Sequence, residues 1–389
     1  MMHFSTIVIG GGTMGSGAAW ELGKRGEKAL VLEQFGHVHA MGSHGGLTRI
    51  IRHAYAEGAD YIPLVRRADD LWVALEEAAG VKVLHRVGGL ELAVPGHGHA
   101  ERARDNAALH GVAFEWLDAA ELMRRWPVYR VPEDWAAGYG PDSGFIDVER
   151  GLRALAARAR AHGIEIREHE PVRSWGATDS GAWVETDQGR YTADRLIVTA
   201  GAWAGQMLAD LGLPLTVRRK TIHWVEVAQP ESFAPERFPV FIADSAAGEL
   251  YGLPIFGRDG LKIGRHDGGD VTTPETVDRE VAPKEAAGAL GPARQIFPAI
   301  TGKVLSSAVC LYTLTPDGDF VIDRHPAWPH VVIAAGFSGH GFKFAPAIGE
   351  HLVDMAFHTD AMPFPMLALN RLKALGVRRS GNDDALPNA

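Results

Sequence analysis

Two periods of apolar residues run along this chain, and the places where one gives way to the other lay out its architecture. Thr6 to Ile9 is a short apolar strand, followed by Gly10-Gly11-Gly12-Thr13-Met14-Gly15. A helical stretch then runs to Arg25, Gly26 stops it, and Ala29 to Leu32 is a second apolar strand, so the chain opens as βαβ. Leu64, Val65, Ala68, Leu71, Trp72 and Leu75 recur at helical spacing, as do Leu152, Leu155, Ala156 and Ala159; Gly80 and Gly163 end the two runs. From residue 164 to 199 the pattern becomes that of strands: Ile164-Glu165-Ile166, Ala182-Trp183-Val184, a turn at Asp187-Gln188-Gly189, then Arg195 to Thr199, ending at Gly201. Between about 220 and 325, β-like runs dominate, at His223 to Val227, Tyr251 to Phe256, Leu261 to Gly264 and Phe320 to Ile322. Helical spacing returns only at Ala345 to Phe357, after the strand Val331 to Ala335. No internal repeat is visible, and Gly381 to Ala389 reads as a loose tail.

Gly10, Gly12 and Gly15 serve a tight turn, a close backbone approach to a pyrophosphate, and close packing of helix on strand, which leaves a helix N-terminus facing the phosphates. Glu33, 23 positions after Gly10 and just beyond the second strand, is placed to accept hydrogen bonds from an adenosine ribose and disfavours a phosphorylated one. The motif alone leaves NAD and FAD both open. An α/β unit that opens the chain and recurs in its middle and at its end predicts a mixed α/β fold, with a Rossmann-like domain from 1–85, 146–215 and 307–389 and a β-rich second domain from 86–145 and 216–306.

Composition narrows the function classes. A chain of 389 residues, 46% hydrophobic, is long enough for large cores. With Lys+Arg 39 against Asp+Glu 48 the net charge is −9, and the pairs Arg66-Arg67, Arg124-Arg125 and Arg218-Arg219 are scattered, so no nucleic-acid footprint is expected. No run approaches the roughly 20 apolar residues that span a bilayer, and Met1 leads straight into Thr6-Ile7-Val8-Ile9 without a charged leader. The expectation is a cytoplasmic protein without membrane or nucleic-acid partners. A single cysteine, Cys310, excludes an intrachain disulfide framework and a thiolate-rich metal site, and no metal is expected.

Five ordered segments resemble the monomeric sarcosine oxidase family, including N-methyltryptophan oxidase, within the D-amino-acid-oxidase-like flavoproteins. They are the glycine motif; Gly42-Ser43-His44 through Thr48-Arg49-Ile50-Ile51-Arg52-His53-Ala54-Tyr55; Leu261-Lys262-Ile263-Gly264; Ala308-Val309-Cys310-Leu311-Tyr312-Thr313; and Ala334 through Gly339-His340-Gly341-Phe342-Lys343. The resemblance runs to about residue 370. It implies FAD rather than NAD, held by Gly10, Gly12, Thr13, Met14, Gly15, Glu33, Gln34, Ser43, His44, Thr48, Arg49, Val172, Gly201, Trp203, Gly339, His340, Gly341 and Lys343, with a covalent thioether through Cys310. By the same resemblance the first domain binds FAD, the second carries the substrate side, and the protein is a monomer acting on a small secondary amino acid and dioxygen.

The roles follow residue by residue. Arg49 and Arg52, three apart, are expected on one face of a short helix whose other face Ile50 and Ile51 pin into a core. The resemblance puts Arg49 over the flavin ring and pairs Arg52 with the substrate carboxylate, a task suited to a planar fork. Lys343, at the start of the helix from Ala345, is the second carboxylate contact, and Gly339 lets the backbone approach the ring. Lys262 alternates with apolar neighbours in a strand, a pattern that normally points a lysine to water. The resemblance instead makes it the oxygen-activating cation. Tyr251 and His266 match residues that shape the substrate pocket. The sequence departs from the family at Gly45, where a histidine is usual, and at Leu47, where an acid is usual. Both changes are expected near the flavin, where they either enlarge the pocket toward bulkier substrates or let the loop close inward and leave specificity unchanged. Alternatives of the same fold are an oxidase of N-methyltryptophan, pipecolate, proline or other N-alkylated substrates, and a dehydrogenase passing electrons to a protein partner; from another class, a flavin-storing binding module.

Overall fold

The computed structural model describes residues 2–374, so the tail expected over Gly381 to Ala389 lies outside them. The opening reads as expected. Met2–Ile9 is a strand, Thr13–Lys24 a helix, and Ala29–Leu32 a strand that pairs parallel with the first, Thr6 opposite Ala29 and Ile9 opposite Leu32. On its other side Met2–Ile9 pairs parallel with Gly189–Val198. The upper half of Gly189–Val198 continues to Trp328–Ala335 in parallel, and its lower half to Gly181–Thr186 in antiparallel. The result is a sheet of eight strands whose central residues Ile7, Val8, Leu30, Leu196 and Ile197 are all fully buried, as a sheet covered on both faces requires.

Helices Thr13–Lys24, Tyr61–Ala79, Val148–Ala161 and Ala345–Phe357 pack together over one face. Glycine makes the closest approach: a Cβ on Gly17 would stand 2.2 Å from the Ala345 carbonyl oxygen, and one on Gly349 as close to Gly17. Tyr61–Ala79 ends at Gly80 in the left-handed region, and Gly163 likewise follows Val148–Ala161.

A second sheet has nine strands, ordered from Asp270–Val271 through Thr216–Val227, Leu261–Arg265, Gly248–Leu253, Val240–Ser245, Gly89–Ala93 and Ala136–Gly140 to Glu115–Asp118, with Ile300–Leu314 on Thr216–Val227. The division placed at residue 307 therefore falls inside one continuous strand of this sheet. Among the helices that escaped the apolar periodicity are His99–Leu109, Ala119–Arg125 and Ala287–Ile296, the last of which holds Gly288, Gly291 and Pro292. The last buries only alanines and Ile296, too little apolar contrast to register as a stripe.

Thr48–Ile51 is a strand, not the short helix expected. It pairs antiparallel with Gly144–Asp147 in a small third sheet, where β-branched Ile50 and Ile51 fit the pleat. Ile51 joins the helix-covered core while Ile50 packs on the opposite side with Phe145, Val240 and Leu253, so this strand lies between two cores.

Candidate functional site

Two cavities meet between the first sheet and the second. The first is built mainly from backbone. It is lined by Gly10, Gly12, Thr13 and Met14 from the opening turn and helix, by Glu33 and Gln34 after the second strand, and by Ser43, His44, Val172, Gly201 and Trp203 from loops. Gly10 has φ +93°, and a Cβ there would stand 2.6 Å from the Thr199 carbonyl; one on Gly15 would stand 1.9 Å from the Gly10 carbonyl. Glycine at 10 and 15 thus closes the turn against the sheet. A Cβ on Gly12 would meet only the His44 ring, at 4.0 Å. The helix that follows has no side-chain cap and no acid in its first turn, so its free amides face the cavity with the positive end of the helix dipole.

Glu33 accepts from the amides of Gly11 at 2.9 Å and Phe35 at 2.8 Å, and burial pushes its carboxyl up to about 7. Lone pairs remain on both oxygens for a ligand hydroxyl. Two buried polar atoms of this lining, His44 Nε2 and Thr313 Oγ1, have no hydrogen-bond partner. Burial first, and then His39 and Arg49, bring His44 down to about 3, so the ring is neutral.

The second cavity is lined by side chains that the sequence scatters: Thr48, Arg49, Arg52, Tyr251, Lys262, His266, Cys310, Gly339, His340 and Lys343. Strand parity collects them. Leu261–Arg265 and Gly248–Leu253 pair with Lys262 opposite Leu253 and Gly264 opposite Tyr251, so Leu253, Tyr251 and Lys262 share a face. A Cβ on Gly264 would be 2.5 Å from the Tyr251 hydroxyl, so the glycine lets this ring lie flat on the sheet.

Lys262 does not reach water. It is 2% exposed and donates to the carbonyls of Gly46 at 2.8 Å and Thr48 at 2.7 Å, and to Thr48 Oγ1 at 3.1 Å. Burial, with Arg49 adding to it, drives its pKa well below the usual lysine value. Arg49 spends its guanidinium on backbone, donating to the carbonyls of Thr48, Ser43 and Gly45. These bonds fix the positive-φ stretch at Gly46 (+96°) and Leu47 (+66°).

Arg52 is buried, and its Nη2 donates to both Glu57 oxygens, at 2.5 and 2.7 Å, with Glu91 3.5 Å from Nε. Any anion that takes this fork must share it with Glu57 or displace it. Lys343 lies in a 3-10 turn, Phe342–Phe344, that leads into Ala345–Phe357. Its Nζ donates to the His340 carbonyl at 2.7 Å and to the Tyr55 hydroxyl at 3.2 Å. His340 Nε2 lies 3.1 Å from the Gly318 carbonyl, which can only accept, so Nδ1 is left to accept from the Tyr55 hydroxyl at 2.6 Å. One directed chain, Lys343 to Tyr55 to His340, therefore fixes the histidine tautomer.

The residues expected to hold the cofactor divide between the two cavities. Gly15 packs behind the turn rather than lining a cavity, and Thr48, Cys310, His340 and Lys343 line the second cavity rather than the first. Gly45 and Leu47 line neither. A Cβ on Gly45 would meet only Ala40 at ordinary contact distance, and Leu47 packs with Ile222, Trp224, Cys310 and Tyr312. The loop has closed inward, and the missing ring opens no space for substrate. At Gly339 (φ +83°) the close approach is by the Tyr312 ring, 2.2 Å from where a Cβ would stand. Glu57 and Glu249 went unnoticed in the sequence, and Tyr312, although part of the motif around Cys310, was given no role. Tyr312 and Glu249 lie two positions from Cys310 and Tyr251, and strand parity would have found both.

The chain matches the family model described as FAD dependent oxidoreductase over residues 5–355. It is 38% identical to a monomeric sarcosine oxidase from Bacillus sp. (strain B-0618) over 359 residues, covering 91% of this chain and 92% of that one. To an N-methyl-L-tryptophan oxidase from Salmonella arizonae it is 34% identical over 370 residues, covering 93% and 98%. Among solved structures it resembles NikD, an amino acid oxidase essential for nikkomycin biosynthesis, with TM-score 0.83 and 25% identity, covering 95% of this chain and 98% of that one.

Proposed function

The chain belongs to the family of FAD-dependent oxidoreductases, and from that premise we propose that it oxidises a small secondary amino acid carrying an N-methyl group. The observation that supports this most is the second cavity, where buried Arg52 and Lys343 line one small chamber with Lys262 and Cys310. FAD fits the first cavity: an uncapped helix N-terminus suits the pyrophosphate, Glu33 suits the ribose, and His44 Nε2 and Thr313 Oγ1 await polar partners. When bound, FAD supplies a two-electron acceptor that dioxygen can reoxidise with release of hydrogen peroxide.

The chain's own residues bind and orient. Arg52 and Lys343 hold the substrate carboxylate, which fixes the N-methyl carbon toward the wall formed by Arg49, Tyr312, Gly339 and Phe342, the residues common to both cavities. Tyr251 and His266 shape the chamber around the amine. Lys262, in its protonated form, sets a positive charge where negative charge develops on oxygen. The imine product hydrolyses to formaldehyde and the demethylated amino acid. Residues 1–85, 146–215 and 307–389 form the FAD-binding side in this reading, and 86–145 with 216–306 the substrate side. The enzyme acts as a cytoplasmic monomer; among the described residues no helix is long and apolar enough to cross a membrane.

Oxygen consumption by purified protein with sarcosine, N-methyltryptophan, pipecolate and proline tests this. Turnover with sarcosine or another N-methyl amino acid, and formaldehyde in stoichiometric amount, is expected; reduction of the flavin without oxygen uptake would favour a dehydrogenase. Cys310, 1% exposed, is the attachment point in this proposal, although burial raises its thiol pKa against the pull of Arg49, Lys262 and Lys220. Flavin that stays with acid-precipitated protein and is released in Cys310→Ala is the expected result. Flavin wholly in the supernatant of the parent would refute the link.

A further inference from the structure

One charged side chain of the second cavity has no task in the reaction proposed above. Arg49, Arg52, Lys262, Lys343 and Glu57 each have hydrogen-bonded partners. The carboxylate of Glu249 also lines the cavity, yet it makes no hydrogen bond or ion pair among the described residues. Its backbone is fully used: the amide donates to Asp267 Oδ1 at 3.0 Å and the carbonyl accepts from the His266 amide at 2.8 Å. The fold thus holds the residue firmly and leaves its charge unpaired.

Parity and register say where that charge sits. Leu253, Tyr251 and Glu249 alternate onto the cavity face of one strand, and Lys262 is opposite Leu253 at the far end. Four residues of strand separate the two ends, about 13 Å. Asp244 lies directly opposite Glu249 on Val240–Ser245, with His97 Nδ1 3.7 Å from its carboxylate. Like charges facing each other across strands destabilise a sheet, and a cation between them relieves that repulsion. The nearby buried Lys220 donates to the carbonyls of His266, Asp267 and Gly268, and among the described residues it makes no ion pair with Glu249 or Asp244. Of the other cation-forming groups nearby, His99 is committed to Glu91 at 3.0 Å, Arg265 to Asp267, and His266 Nδ1 lies 3.3 Å from the Tyr312 hydroxyl. Apolar Ile50, Ile242, Leu253 and Phe342 also line the cavity.

We propose that Glu249 is a specificity-determining residue that selects amino acid substrates whose side chain ends in a cationic group. The inference rests on the amino acid oxidase reading above: the carboxylate goes to Arg52 and Lys343, an alkyl chain crosses the apolar stretch, and the distal ammonium reaches Glu249. Its physical content is a charge-assisted contact in a partly dry cavity, which makes a ten- to hundredfold difference in affinity.

Titrating the holoenzyme with 4-aminobutyrate, 5-aminovalerate and 6-aminohexanoate against the matching unsubstituted acids, followed by the flavin absorbance, tests it without turnover. At least one ω-amino acid is expected to bind about tenfold or more tighter than its parent acid. Glu249→Gln, isosteric and neutral, should bring that ratio close to one. Equal affinities in the parent, or a preference that survives Glu249→Gln, would overturn the proposal. Turnover of Nα-methyl-lysine against N-methyl-norleucine separates the two readings. Selective binding without oxidation of either compound would sink the N-methyl oxidase function and leave the role of Glu249 standing. Oxidation of both with equal kcat/KM would do the reverse.

Discussion

The two cavities share a wall at Arg49, Tyr312, Gly339 and Phe342 but are made of different material. The first is a backbone device: glycines that close a turn, free helix amides, and a carboxylate at the end of a strand. Its central parts lie within the first 34 residues, so their spacing is dictated by local geometry and reads directly from the sequence. The second is a side-chain device, assembled from Arg52, Glu57, Tyr251, Lys262, Cys310 and Lys343 on separate strands and turns. No spacing links these residues. A backbone site fails when space is lost, whereas a side-chain site fails when charge is lost, and variants can be chosen to set the two modes apart.

The largest effect is expected where space is absent. In Gly15→Val a side chain must enter at a point 1.9 Å from the Gly10 carbonyl, where only backbone can give way. The turn cannot keep its shape, and protein without bound flavin, with destabilisation of about 3 kcal/mol or more, is expected. Gly12→Ala is the contrast. Its Cβ meets nothing nearer than 4.0 Å, so thermal stability without cofactor should match the parent while flavin affinity falls. Equal loss of folding in both would break the distinction between a packing glycine and a ligand-facing one.

The same division explains what the sequence disclosed. The βαβ opening and the helices at Tyr61–Ala79 and Val148–Ala161 carry clear periodicity and are found close to their expected limits; in the second sheet Leu261–Arg265 is too, whereas Thr216–Val227 begins well before the expected His223 and Gly248–Leu253 is shifted toward the N-terminus of the expected Tyr251 to Phe256. Thr48–Ile51 misled because two arginines three apart suit a helix, whereas its β-branched centre and its partner Gly144–Asp147, almost a hundred residues away, decide for a strand. Burial of Lys262 was invisible to periodicity, since a lysine between apolar residues ordinarily faces solvent; only the resemblance pointed inward. Glu57 had no signal at all, because its partnership with Arg52 depends on how the chain turns after the strand.

In the second cavity the next largest effect is expected from Lys262→Met, which removes the fixed cation while keeping an unbranched chain of similar length. If Lys262 acts on oxygen, reoxidation of reduced enzyme should slow by about 10²–10³, in line with removal of one preorganised electrostatic group, while anaerobic reduction by substrate changes far less. Stopped-flow measurement of the two half-reactions checks this. The substitution also deprives the carbonyls of Gly46 and Thr48 of their donor, and a merely structural role for those bonds would slow both half-reactions together.

The smallest effect concerns protons rather than atoms. Burial foremost, and then the neighbouring Arg52, bring the Lys343 pKa down to about 7, against the opposing pull of Glu57 and Glu91. Below that pH the ammonium is charged and available to a carboxylate; above it the free enzyme increasingly carries a neutral amine. A carboxylate ligand binds the charged form, so its affinity should be flat from pH 6 to about 7. It should then weaken by up to about tenfold per pH unit, until the pH reaches the higher pKa that the lysine acquires beside a bound anion. Binding above neutrality should accordingly take up a proton, which calorimetry in two buffers of different ionisation enthalpy would detect. His340, held near 3 by burial, stays neutral throughout, and Arg52 stays charged, so neither imitates the profile. The other lysine whose pKa burial lowers in this cavity is Lys262, which makes the comparison decisive. Lys343→Met should flatten the profile and Lys262→Met should preserve it; the opposite pattern would move the titrating group, and with it the carboxylate contact, to Lys262.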